Sequence, residues 1–216
     1  MSVEQSTVLR SLFSKNDDLW LQASENHTFL VGCANGTVSN KQFNTWLVQD
    51  FIYVNSFHGF LESIMKSALP ADDDILKSGM VALTNELAWF KERGRERGLD
   101  LSAAPLPTTL KYREFMLSMS ASNYSTQIVA LYLIERVYQR AWTLVLERGG
   151  NDGMYSQFAI NWGNKDFGDY VDQLELIAER EAKGTVIDAA QLDLLFREIM
   201  NLEVMFWDMA YEAECK

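Results

Sequence analysis

All three prolines of the chain fall between Pro70 and Pro107, and outside that window apolar residues recur at three- and four-residue steps over long stretches. No other feature limits the fold as much. A helix returns to one face every 3.6 residues while a strand alternates every two, and proline removes the backbone donor that a helix interior needs. The pattern therefore predicts an all-α chain, with helices over residues 4–24, 27–34, 40–68, 73–97, 107–120, 123–148, 152–182 and 188–214. Each break has a chemical cause. In "NGTVSNKQF", Asn35 and Gly36 form a stop and Ser39 an N-cap, and "LPADDD" ends one helix and places acids at the positive end of the next. "RGLDLSAAPLPTT" closes the fourth helix and "ERGGNDGM" the sixth.

No repeat, low-complexity tract or Pro/Gly/Ser linker divides the chain. Its 216 residues, 48% of them hydrophobic, can build one substantial core, so residues 1–216 are expected to form a single helical domain. A ligand site in such a bundle is made by side chains that project inward from several helices. The net charge of -11 argues against a nucleic-acid partner, because clustered Lys and Arg are what release counterions from phosphates. No run approaches the roughly 20 apolar residues that span a bilayer, and the start lacks an apolar stretch after a basic region. The expectation is a cytoplasmic protein without a membrane partner. Cys33 and Cys215 form no CxxC pair or other metal-ligand spacing, and no metal or cofactor is expected.

Three helices each carry one acid on an aromatic, apolar face. In "VALYLIERVYQRAWTLVL", Glu135 shares its face with Leu131, Tyr138 and Trp142, while Arg136 and Arg140 lie around the other side. Asp50, in "WLVQDFIYVNSF", falls among Trp46, Tyr53, Val54 and Phe57; Glu203, in "IMNLEVMFWDMAY", falls among Ile199, Met200, Phe206, Trp207 and Ala210. A carboxylate placed there must find donors or take up a proton as its pKa rises. Such a group can act as a general acid or base near neutrality, or can hold a nitrogen-rich ligand. It can also be an ordinary paired core acid, and periodicity alone does not show that the three converge. His27 and His58 lack any metal-ligand pattern and read as structural, and Trp89, Phe90 and Trp162 read as core. "GNDG" and "WGNKDFG" lack the strand-to-helix setting of a phosphate loop, and GxSxG is absent.

The segments "NHTFLVGCANGTVSNKQFNTWLVQDFIYV", "ELAWFKERG", "YREFM", "NWGNKDF" and "LEVMFWDMAY" resemble the TenA family, also called thiaminase II or TENA/THI-4, over nearly the full length. The E-x-x-FWDMAY segment is the most specific, together with QD-x-x-Y upstream. Where the cysteine-bearing branch has its nucleophile, this chain reads Leu131, Tyr132, Leu133, Ile134 and Glu135, which is similar to the TenA_E branch. The resemblance implies a heme-oxygenase-like helical fold with a pocket for a 4-amino-2-methylpyrimidine. It also implies hydrolysis of aminopyrimidine or its N-formyl derivative to hydroxymethylpyrimidine, for thiamin salvage, with little or no cleavage of thiamin itself. Carried over by position, Asp50 hydrogen-bonds the pyrimidine, Tyr53 and Tyr112 are pocket tyrosines, and Glu203 is the catalytic glutamate. Glu135 stands near the place of the lost thiol and is expected to share proton transfer, opposite Glu203. Tyr138, Trp162 and Asn164 complete the expected substrate-binding set; Asp166 stands where the cysteine branch has a tyrosine. A homodimer or homotetramer is implied as well. Two other readings remain: a pyrimidine-binding or storage protein on the same fold, and an oxidase using heme or a di-iron centre. Against the di-iron form, the two histidines are far apart and no Glu-x-x-His pair occurs.

Overall fold

Local capping chemistry sets most helix ends close to where the sequence places them. In this computed structural model, which describes residues 7–149 and 153–214, the helices are α1 (Val8–Lys15), α2 (Asp17–Leu21), α3 (Thr28–Asn35), α4 (Asn40–Lys66), α5 (Asp73–Glu96), α6 (Pro107–Met119), α7 (Tyr124–Gly149), α8 (Ser156–Gly163), α9 (Lys165–Ala182) and α10 (Ala189–Tyr211). Cys215, residues 150–152 of "GNDG", and the expected starts of the first and seventh helices lie outside the described residues. Gly36 ends α3 in the left-handed region at φ 74°, which glycine adopts without a Cβ clash. Ser39 opens α4 with a full capping box: its hydroxyl accepts from Gln42 N, and the Gln42 side chain accepts from Ser39 N. His27 caps α3, its Nδ1 accepting from Phe29 N at 3.1 Å.

Three expected helices differ. The first breaks at Asn16, whose buried amide donates to Leu12 O at 3.0 Å and to Asp193 of α10 at 2.9 Å. The chain then winds more widely as a π-type turn, Gln22–Asn26, where Trp207 Nε1 donates to Ala23 O from outside the helix at 2.8 Å. The expected helix over 152–182 is two helices. At Gly163 a Cβ would lie 2.9 Å from Trp142 O, so α8 ends hard against the α7 backbone. Asn164 then turns extended and its Oδ1 caps α9 by accepting from Phe167 N at 2.9 Å. The last helix stops at Tyr211, followed by a single 3-10 turn, Glu212–Glu214.

Helix α7 runs through the middle of the bundle, packed by α3, α8, α9 and α10, and α4 packs on α5, α6 and α10. Its polar side is satisfied by acids: Arg136 reaches Asp172 and Glu175 of α9, and Arg140 reaches Glu25. Its other side joins an aromatic core in which Trp46, Trp142 and Trp207 are fully buried. Ring centroids of Trp46 and Trp142 are 4.8 Å apart, and Phe29 stacks on Trp207 at 5.7 Å. Among the described residues there is no strand, and no helix is long and apolar enough to cross a membrane.

Candidate functional site

Helices α4, α5, α7, α8 and α9 do not close completely on one another. They leave a cavity of about 600 Å³, which α4 lines with Asp50, Tyr53, Val54 and Phe57, and α7 with Ile134, Glu135 and Tyr138. Glu86 and Trp89 enter from α5, Trp162 and Asn161 from α8, and Asp166, Phe167 and Tyr170 from α9. Seven of the twenty lining residues are aromatic, Trp162 among them: its ring lies 5.2 Å from Trp89 and 5.5 Å from Tyr138. No Lys, Arg or His is among the described residues of the lining, so the four carboxyl groups of Asp50, Glu86, Glu135 and Asp166 share the cavity without a cation.

The hydrogen bonds distinguish these acids. Asp50 is 1% exposed, and its Oδ2 accepts from the Tyr138 hydroxyl at 2.6 Å. Burial raises its pKa well above the carboxylate range, the Tyr138 donor pulls the other way, and the charges of Glu86 and Glu203 raise it further. Glu86 accepts from Trp162 Nε1 at 2.5 Å; burial lifts it to about 7 against that donor. Glu135 is raised to about 8, by burial first and by the Glu86 charge second. Glu86 and Glu135 can thus change protonation near neutral pH.

Of the residues singled out from sequence, the structure brings Asp50, Tyr53, Glu135, Tyr138, Trp162 and Asn164 onto this one cavity. Asn164 is also tied into the backbone, capping α9 and donating to Asn161 O at 2.7 Å. Glu203 and Tyr112 are not part of the lining. They sit in the adjoining core, where the Tyr112 hydroxyl donates to Glu203 Oε1 at 2.6 Å and burial raises Glu203 to about 7. Tyr53 joins the two zones: its ring is 4.7 Å from Tyr112, and burial raises the pKa of its hydroxyl. The acid whose charge bears on Glu135 is therefore Glu86 and not Glu203. Trp89, read from sequence as core, forms part of the wall, whereas Phe90 is fully buried.

Sequence reasoning missed Glu86. The signal was present, because Gly79, Leu83, Glu86 and Phe90 follow at steps of four, three and four, and the other three are buried. The same face criterion that selects Asp50 selects Glu86.

Comparison with known proteins connects the fold to a family. The chain matches the TENA/THI-4/PQQC family over residues 14–213. It belongs to that family. Among curated relatives, a protein of Glycine max named as a probable bifunctional TENA-E protein is 27% identical over 91% of this chain and 90% of its own. An aminopyrimidine aminohydrolase of Halalkalibacterium halodurans is 26% identical over 93% of this chain and 94% of its own. The crystal structure of a TenA homologue from Pyrococcus furiosus superposes with a TM-score of 0.88 at 26% identity, covering 94% of this chain and all of the other. Among the described residues no group of three or more His, Cys, Asp or Glu is arranged to hold a metal ion. Cys33, the free thiol of α3, is buried and outside the cavity lining, and burial pushes its pKa up. What this family member presents in its cavity is carboxyl and phenol chemistry.

Proposed function

We propose that the protein hydrolyses the exocyclic C–N bond of 4-amino-5-aminomethyl-2-methylpyrimidine, or of its N-formyl derivative, to give hydroxymethylpyrimidine for thiamin salvage. The observation that carries this reading is the hydrogen-bonded pair of buried Asp50 and half-buried Tyr138 in the wall of a cavity rich in aromatic rings, with no cation among its described residues. The relative named aminopyrimidine aminohydrolase supports it.

A flat aminopyrimidine fits between walls of this kind through stacking and edge contacts with Tyr53, Trp89 and Trp162. Asp50, whose protonated form burial favours, offers an O–H to a ring nitrogen and a carbonyl oxygen to the 4-amino group. Tyr138 holds that carboxyl in place by donating to its Oδ2. With the ring fixed there, the exocyclic methylene carbon is presented to the carboxyl of Glu135, which remains protonated at neutral pH and can protonate the departing nitrogen. Glu203, bonded to Tyr112, braces Tyr53 from the core side and acts on the ligand only through those phenols.

The test is a product assay. The purified protein is incubated separately with aminopyrimidine, N-formyl aminopyrimidine and thiamin, and hydroxymethylpyrimidine is quantified. Turnover of either aminopyrimidine, with thiamin much slower, is expected. Binding of hydroxymethylpyrimidine without turnover of any of the three would instead make the protein a pyrimidine binder.

A further inference from the structure

Glu86 is unnecessary to the fold as an acid. It shares a face of α5 with the buried Gly79, Leu83 and Phe90, and among the described residues its side-chain hydrogen bond is to the Trp162 indole. A carboxyl group in such surroundings costs free energy that an apolar or amide side chain would not. The groups that share the cavity with it are Asp50 and Tyr53 from α4, Glu135 and Tyr138 from α7, and Asp166 and Tyr170 from α9, and none is a cation. Nothing in this wall neutralises Glu86, and only Trp162 stabilises its charged form.

The contrast with Glu135 is what gives the two acids different work. Glu86 receives an N–H at Oε1, a donor that favours its anion and leaves Oε2 for the cavity. Glu135 has no such donor and stands in the field of Glu86, so it holds its proton. Two carboxyl groups whose surroundings separate them in this way divide into a base and an acid. Building on the hydrolase reading above, we infer that Glu86 is the catalytic base that takes a proton from the attacking water, while Glu135 gives a proton to the departing nitrogen.

The step balances. A water oxygen forms the new C–O bond to the methylene carbon as its proton passes to the Glu86 carboxylate. The C–N bond breaks with its electron pair going to nitrogen, which receives the Glu135 proton and leaves as ammonia. Transfer of the proton from Glu86 back to Glu135 restores the starting state. The values of about 7 for Glu86 and about 8 for Glu135 keep both directions of that transfer accessible.

Wild-type turnover of aminopyrimidine is measured first, and its absence would remove the hydrolase reading itself. With turnover established, Glu86→Gln is expected to lower kcat by about 100-fold or more. Its affinity for hydroxymethylpyrimidine, followed by quenching of tryptophan fluorescence, should stay within about threefold of wild type, the range of ordinary context effects on a non-ionic contact. Retention of most of kcat, or a loss of affinity that parallels the loss of kcat, overturns the assignment. Should Glu86→Gln fail to fold, Glu86→Asp keeps the charge and withdraws it from the water. A roughly tenfold or larger fall in kcat at unchanged product affinity supports the assignment, and an unchanged kcat overturns it.

Discussion

Asp50 and Asp72 are both closed off from solvent, 1% and 2% exposed, in two regions of the bundle. Asp72, just before α5, accepts from both terminal nitrogens of Arg180, at 2.9 and 2.6 Å, and from the Tyr124 hydroxyl at 2.6 Å. Those donors, Arg180 foremost, hold its pKa below the usual range. Asp50 has a tyrosine donor too, but burial first and the charges of other acids second raise its pKa. Low exposure alone therefore does not separate a structural acid from one available for chemistry. The two sites differ in how deeply the carboxyl is desolvated and in the counterion: α9 supplies an arginine at one place, and the described cavity walls supply none at the other.

The contrast can be broken or sharpened at several points. The largest effect is expected at the cavity. Glu135→Gln should lower turnover of aminopyrimidine by about 10²- to 10⁴-fold while the melting temperature does not fall, since an unneutralised acid is removed. A variant that melts earlier and keeps its turnover would make Glu135 a structural residue. The mirror experiment is Asp72→Asn, which leaves Arg180 without its buried partner. It should cost about 2–3 kcal/mol, less than a fully buried pair because Arg180 is 44% exposed, and lower the melting temperature by roughly 5–10 °C with kcat nearly unchanged. Loss of kcat at unchanged stability would contradict the division of labour.

A third prediction uses pH. Glu86, Glu135 and Glu203 have folded values raised to about 7, about 8 and about 7 from 4.5. Between pH 4.5 and those values the folded chain keeps protons that the unfolded chain has released, so stability should decline as pH rises from 5 to 8. Asp72, with its lowered value, has the opposite sign: its contribution is present above its unfolded value near 3.8 and is lost as pH falls below that. Glu135→Gln should flatten the decline measured by thermal melting at pH 5.5 and 8, whereas Asp72→Asn should leave it in place. Equal slopes in wild type and Glu135→Gln would show that the acid is not carrying a raised pKa.

The smallest effect concerns ligand charge. A cavity with four acids and no cation should bind the phosphate ester of hydroxymethylpyrimidine at least about tenfold more weakly than the alcohol, roughly 1.4 kcal/mol, in a titration of either ligand. Equal affinities would mean that the acids there are all protonated or that the ester binds elsewhere.

Much of this molecule is legible in its residues, because the information is local. Helix faces, the Ser39 capping box and the Gly36 stop depend on side chains within a turn or two of one another. The apolar acids Asp50, Glu135 and Glu203 and the family segments are read from the chain in the same way. The errors arise where a local pattern continues through a local interruption. The apolar period runs on across Asn16 and across Gly163–Asn164 because the helices on both sides face one core, although the chain breaks there to bury an amide and to cap α9. Glu86 was hidden for a related reason: the tryptophan and phenylalanine that follow it drew the segment toward a core reading.

By itself the sequence determines that the chain is helical, which face of each helix is apolar, and which acids lie on such faces, since a 3.6-residue period relates each residue to its own helix axis. It does not relate one axis to another. Only the tertiary structure decides that Glu86 and Glu135 share a cavity while Glu203 stands behind Tyr53 with Tyr112, and that Arg180 reaches Asp72 and no cation reaches Asp50. Whether a buried acid is paired or left reactive depends on the charge brought to it from other helices, and that is settled by packing between residues far apart in the chain.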